Sequence, residues 1–259
     1  MDKDPLILAI SMLFGAIVGS FLNVVILRLP EENGSIVFPP SHCPGCKASL
    51  SWFENIPLFS YLVLRGRCRH CRMPISLQYP VVEALMSVLT AALVFRFGLT
   101  VTGAGFFLFS AALIVIIWID LQHQIIPDVI SLPGIGIGVI FSFFSTFISW
   151  QDSLLGLLAG GGILYAIALT YLLLRKQEGM GGGDIKLLAM IGAFLGWQSL
   201  PFVLFMSSIT GSIIGLLAMI QQKKGGNTRI PFGPFLSCSG LVYLFFRNDI
   251  IRLIQLYFQ

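Results

Sequence analysis

The chain reads as an all-α polytopic membrane protein of about eight transmembrane helices with a small zinc-stapled cytosolic loop domain. Three observations predict this. Apolar residues make up 56% of the 259 and charged residues only 11%, where a soluble domain carries about 25% charged. Mean hydropathy is +0.88. The one long polar stretch holds two cysteine pairs, Cys43-Pro44-Gly45-Cys46 and Cys68-Arg69-His70-Cys71. The formal charge of +4 is therefore a topology signal rather than a sign of nucleic-acid binding.

The expected spans are Leu6–Leu27, Pro80–Phe97, Ala104–Ile119, Val129–Ile148, Leu154–Leu174, Ile185–Gly196, Phe202–Ile220 and Pro231–Phe246. They divide the chain into a first transmembrane helix (1–27), a cytosolic zinc-binding loop domain (28–79) and a seven-helix membrane domain (80–259). Asp2 and Asp4 deny the first span the basic n-region of a signal peptide. Within it, Gly15 and Gly19 form a GxxxG pair with Asn23 beyond, read as helix-packing architecture.

Residues 28–79 are broken by prolines and have no apolar period long enough to form a core. Such a loop needs a staple, and four thiolates, Cys43, Cys46, Cys68 and Cys71, match a closed tetrahedral structural zinc site. A redox CxxC would want a βαβ context, and a catalytic zinc would need an open ligand position. His42 and His70 lie beside the cysteines as substitute ligands. Cys238 reads as a small packing residue of the last span.

With the N-terminus outside, the inner loops carry 12 of the 16 basic residues, from Arg28 and the arginines of the zinc loop to Arg229. This positive-inside bias puts the zinc loop in the cytosol, where thiols stay reduced.

Acids at membrane depth are functional candidates. Asp120 closes the third expected span, and Asp128 follows Pro127 as an expected N-cap of the fourth. Asp184 follows Gly181-Gly182-Gly183, expected as unwound backbone able to approach a substrate or take positive φ. The sixth span, short for a bilayer, is expected either to run on into Trp197–Leu200 or to begin unwound. Glu83 is a third buried acid, expected to pair with an arginine of the zinc loop.

Together these residues resemble the type IV prepilin peptidases, bacterial leader peptidase/N-methyltransferases. The resemblance rests on Gly19-Ser20-Phe21-Leu22-Asn23 with Arg28-Leu29-Pro30, both CxxC units, Asn55-Ile56-Pro57, and Tyr79-Pro80 with Glu83. It extends through Asp120 to Asp128, Gly181-Gly182-Gly183-Asp184 with Lys186, and Pro231-Phe232-Gly233-Pro234. It implies an intramembrane aspartyl protease of the GxGD kind in the bacterial inner membrane, with Asp120 and Asp184 as catalytic aspartates. Its implied substrates are prepilins and pseudopilins, cut after a glycine at the cytosolic face. The new N-terminus is then methylated from S-adenosyl-L-methionine. The implied setting is a pilus, secretion or DNA-uptake machine, with membrane lipids as surroundings and no nucleic acid. No S-adenosylmethionine fingerprint is present in the sequence, so methyl transfer follows from the resemblance alone. A competing reading is a proton- or cation-coupled transporter using Asp120, Asp184 and Glu83, which discontinuous glycine-rich helices would suit. A zinc-stabilised scaffold without chemistry is a third.

Overall fold

A computed structural model describes residues 4–31, 35–38, 40–176, 181–222 and 230–257. Among them are nine α-helices: α1 (Pro5–Arg28), α2 (Phe59–Val63), α3 (Gln78–Phe97), α4 (Val101–His123), α5 (Asp128–Phe144), α6 (Trp150–Arg175), α7 (Gly182–Leu195), α8 (Leu200–Gln222) and α9 (Gly233–Tyr257). All but α2 coincide with the expected spans. The stretches Pro5–Arg28, Gln78–Phe97, Val101–His123, Trp150–Arg175 and Trp197–Ile220 are long and apolar enough to cross a membrane. The protein is a multi-pass helical membrane protein. Its chain forms two compact units, Met1–Val115 and Ile116–Gln259.

In the first unit, α1 packs on α3 through glycine. A Cβ at Gly15 would lie 2.6 Å from the Met86 carbonyl, and one at Gly19 would lie 2.7 Å from the Glu83 Cα. Hence the two backbones approach as only small residues allow. The Asn23 amide donates to the carbonyls of Gly19 at 3.2 Å and Tyr79 at 3.1 Å, cross-linking α1 to the start of α3. Glu83 does not pair with an arginine. Its Oε2 accepts the Leu58 N–H at 2.8 Å, and its carboxylate also meets the Ser20 hydroxyl. The reason is local: Leu58 sits at φ 62, outside any ladder, and its part-buried amide needs an acceptor.

The second unit is built around α7. Residues Leu187 to Leu195 are all buried, enclosed by α5, α6 and α9. At 14 residues the helix is about 21 Å long, short of the roughly 30 Å hydrocarbon layer. It neither runs on into Trp197–Leu200 nor begins unwound: Gly196 (φ 82) caps its C-terminus, and Gly182 and Gly183 are already helical. Of the three glycines only Gly181 is non-helical, extended at φ −70 and ψ 139 as the N-cap, and none of them takes positive φ. Gly179 and Met180 lie outside the described residues.

Glycines also set the α7 contacts. A Cβ on Gly192 would fall 2.1 Å from the Gly156 carbonyl oxygen, and one on Gly160 would fall 2.6 Å from the Leu188 carbonyl oxygen. Ser153 Oγ donates to the Ala193 carbonyl at 2.7 Å. On the α5 side, Gly134 and Gly138 face Met190 and Phe194. Gly192→Val therefore forces α6 and α7 apart. It is expected to cost about 3 kcal/mol, at the upper end of overpacking penalties, read as a lowered midpoint for thermal unfolding of the detergent-solubilised protein.

Helix ends differ from expectation by a few residues, and three of the differences touch candidate residues or the last span. Asp120 lies inside α4, which continues to His123. The N-cap of α5 is Pro127, and Asp128 is its first helical residue. The last helix starts at Gly233 and runs past Phe246, which breaks helical geometry at φ −114, ψ 17. Cys238 does not fill a packing gap: it is exposed on α9.

Candidate active site

The zinc loop of the first unit is two copies of one turn. The Cys43 N–H donates to the Ala48 carbonyl and the Lys47 N–H to the Cys43 carbonyl, each at 2.9 Å. In the second turn the Cys68 N–H reaches the Met73 carbonyl at 2.8 Å and the Arg72 N–H reaches the Cys68 carbonyl at 2.9 Å. Isolated β-bridges, His42 with Ser49 and Arg67 with Pro74, close the two turns.

Together the turns bring four sulfurs within 4.8 Å of one another, with no disulfide among them. Cys43 Sγ lies 3.7 Å from Cys71 Sγ, and Cys46 Sγ lies 4.0 Å from Cys68 Sγ. A tetrahedral zinc with Zn–S near 2.3 Å requires sulfur separations of about 3.8 Å, so the cluster could hold zinc. The Cys46 and Gly45 backbone N–H groups draw the Cys43 thiol down to about 6. The Met73 amide favours the Cys71 thiolate, yet burial and the adjoining sulfurs push that thiol up to about 11. Four thiolates crowd each other unless a dication neutralises them. His42 is turned away, its Nδ1 3.1 Å from the Pro40 carbonyl, and the cluster contains only the four cysteines among the described residues.

The acids gather in the second unit. Asp120, near the end of α4, is only 5% exposed. Its Oδ2 accepts the N–H of Gly233 at 3.0 Å. That amide is the first of α9, one of the unpartnered donors every helix N-terminus presents, and it carries the positive end of the helix dipole. A Cβ at Gly233 would stand 2.6 Å from Asp120 Oδ2, so no other residue fits there without movement.

Asp184 lies in the first turn of α7, half-buried. The Asp120 carboxylate is near enough for its charge to act on Asp184. Ile126 joins the pieces: a Cβ at Gly183 would meet its Cβ at 2.9 Å, and one at Gly233 would meet its Cδ1 at 3.1 Å. Asp128 has a different task. Both its oxygens accept from Lys186 Nζ at 2.7 Å, tying the starts of α5 and α7 together two residues beyond Asp184. The pair is partly exposed, so it contributes positioning more than stability.

The structure thus brings Asp120 and Asp184 together and leaves Asp128 and Glu83 in hydrogen bonds of their own. Sequence reasoning missed the Gly233 amide and Ile126 as parts of the site. Pro231-Phe232-Gly233-Pro234 is visible as a motif, but only the fold reveals which carboxylate its amide meets.

Two carboxylates close enough for one charge to act on the other, one of them receiving a helix N-terminal amide, have the groups that acid–base chemistry requires. Comparison with known proteins fixes the family. Residues 13–97 match the bacterial peptidase A24 N-terminal domain and residues 107–216 match the type IV leader peptidase family. The chain is 37% identical over 273 residues to the prepilin leader peptidase/N-methyltransferase of Stutzerimonas stutzeri, covering 96% of this chain and 94% of the relative. It is 40% identical over 262 residues to that of Legionella pneumophila (93% and 91%). Against the protein of the same name from Pseudomonas aeruginosa it is 37% identical over 264 residues (93% and 91%). No solved structure matches the chain. The protein belongs to the type IV leader peptidase family and is an enzyme, a membrane peptidase.

Proposed function

We propose that this enzyme removes the short leader of type IV prepilins and pseudopilins at the cytosolic membrane face through Asp120 and Asp184, and then N-methylates the new N-terminal residue. The observation that carries the reading is the buried Asp120 carboxylate, held by the Gly233 amide at 3.0 Å within reach of the charge of Asp184. Peptide hydrolysis by such a pair uses one ionised and one protonated acid, a state that belongs to the pair jointly. The ionised carboxylate takes a proton from water as its oxygen attacks the scissile carbonyl carbon. The protonated partner donates to the carbonyl oxygen. Collapse of the tetrahedral adduct breaks the C–N bond as the amine nitrogen receives a proton from the pair. The transporter reading has no support from the family, and Glu83 is already committed to Leu58.

The basic inner loops support a topology with the N-terminus outside and residues 28–79 in the cytosol, as a zinc-stapled domain that precedes a peptidase region at 80–259 in the sequence. Zinc held by Cys43, Cys46, Cys68 and Cys71 would be structural, since four thiolates leave no position for water. S-adenosyl-L-methionine would supply a methyl group to the free amine. In the first unit a cleft of about 360 Å³ is lined by Ser20, Phe21, Arg28, Ser41 and Asn55 among others. This is the volume of a small-molecule pocket. Arg28 gives one N–H to the Ser35 carbonyl at 3.0 Å and has others to offer an amino-acid carboxylate, and the Ser41 hydroxyl and Phe21 ring suit a nucleoside, so we assign the methyl donor there.

The test is incubation of the purified enzyme with a prepilin, followed by sequencing of the product. A mature N-terminus that becomes methylated only with donor present is the expected result; an intact prepilin overturns the reading. Gly233→Ala provides a finer check. The added Cβ would stand 2.6 Å from Asp120 Oδ2, so the carboxylate must shift. Misplacement of a catalytic group by about 1 Å costs roughly 10²-fold. The fall is expected in kcat rather than KM, read from the rate of leader removal.

A further inference from the structure

A second cleft in the first unit has no place in the peptidase chemistry. It encloses about 640 Å³ and is lined by Val63, Arg65, Arg67, Arg69 and Arg72, with Leu64 and Cys68. Four guanidiniums sharing one cleft repel one another, and the only ion pair among the described residues is Lys186 with Asp128. Glu54 lies close enough to feel Arg69, but its Oε2 already accepts the Ser51 N–H at 2.9 Å. Arg69 stacks 5.4 Å above the Phe53 ring, which orients it without neutralising it.

Backbone conformation adds a second, independent oddity. Arg65 (φ 51) and Arg72 (φ 60) both sit in the left-handed region, where glycine is the easy occupant and long side chains are uncommon. Arg72 belongs to the second cysteine turn, so the same backbone that presents Cys68 and Cys71 to a metal also presents Arg67, Arg69 and Arg72 to the cleft. The sequence keeps arginine where the turn alone would favour glycine.

The helix that gives Val63 to the cleft carries exposed apolar side chains. On α2, Phe59, Leu62 and Val63 are 61%, 73% and 62% exposed, and Trp52 nearby in sequence is 81% exposed. Val63 belongs both to this apolar surface and to the cleft lining. A guanidinium cluster continuous with exposed apolar side chains matches the boundary between phosphate headgroups and acyl chains. Guanidinium forks match phosphate geometry in two-point contacts. We propose that this cleft binds the phosphate headgroup of an anionic phospholipid, with Phe59, Leu62 and Val63 entering the acyl boundary. The site is independent of the aspartate pair. Lipid binding here turns the cysteine turns into a membrane-surface anchor, whose charge balance depends on the leaflet.

The test uses the full-length protein in detergent, titrated by calorimetry with dioctanoyl phosphatidylglycerol, dioctanoyl phosphatidylcholine and inorganic phosphate. Phosphatidylglycerol is expected to saturate one site at least about tenfold more tightly than either of the others. Arg67→Gln/Arg72→Gln should weaken it at least about tenfold, whereas Arg67→Lys/Arg72→Lys should retain more of it. Leu62→Ser/Val63→Ser should weaken the lipid and leave phosphate binding unchanged. Equal affinity for phosphatidylglycerol and phosphate, or a glutamine variant that binds like wild type, overturns the proposal. Should the glutamine variant lose zinc and its fold, photolabelling of the wild-type protein with a diazirine phosphatidylglycerol decides. Label within residues 59–72 supports the site, and label confined elsewhere refutes it.

Discussion

Asp120→Asn and Asp184→Asn are each expected to lower leader cleavage by at least about 10²-fold, the usual cost of losing a general acid or base, while membrane insertion stays normal. Asparagine keeps the shape of the side chain, so the Gly233 N–H at 3.0 Å from Oδ2 still finds an amide oxygen. What is lost is the capacity to hold and pass a proton. The double variant should be little worse than either single one, because in the proposed mechanism the two carboxylates act as one unit. Asp128→Asn is the contrast. Its carboxylate faces Lys186 and not the pair, so only a modest loss is expected, through looser placement of the α7 start. Initial rates on a purified prepilin check all four. A single Asn variant that kept more than about a tenth of wild-type rate would remove that residue from the chemistry.

The second large effect concerns the metal. Cys43→Ser/Cys71→Ser is expected to abolish binding of one zinc per chain and to loosen residues 28–79 as a unit. The pair forms one edge of the sulfur cluster, 3.7 Å apart. Apart from the sulfurs, the loop's order rests on short-range turn hydrogen bonds, a four-residue 3-10 turn at Trp52–Asn55, the five-residue α2 and the bond from Leu58 to Glu83. Metal binding and folding are then one free energy, of about 10–16 kcal/mol in comparable structural zinc peptides. Elemental analysis gives the stoichiometry, and amide hydrogen exchange gives the loosening. Cys238→Ser, outside the four-sulfur cluster and exposed on α9, should leave the zinc content untouched. Unchanged zinc in the double serine variant would refute the ligand assignment.

Much of the fold was legible because hydropathy is a sum over many residues. Helices lie at all eight stretches that hydropathy singles out, five of them long and apolar enough to cross a membrane, and the CxxC spacing points to the four-sulfur cluster without any fold. What escaped depends on long-range partners. Glu83 looked like a salt-bridge acid, yet what it receives is the amide of Leu58, left over by a turn at φ 62. Gly182 and Gly183 looked like unwound backbone because glycine is permissive, but both are helical as the first turn of α7, with Gly183 packed on Ile126. Gly156 and Gly160, spaced like the Gly15–Gly19 pair, pass unnoticed in a chain with 27 glycines until α7 lies against them. For the site itself, Asp120 and Asp184 stood out as rare acids in an apolar chain. The amide on Asp120 comes from a residue 113 positions away, and no local pattern encodes that distance.

The central claim is that the Asp120–Asp184 pair cuts the leader and that methyl transfer is done by other residues. Intact-mass spectrometry of two substrates with the Asp184→Asn enzyme and methyl donor tests it most directly: a full-length prepilin, and an already cleaved pilin peptide with a free N-terminal amine. The account predicts an unchanged prepilin and a pilin peptide heavier by one methyl group. Cleavage of the prepilin by this variant, or no methylation of the peptide by a demonstrably folded enzyme, would contradict it.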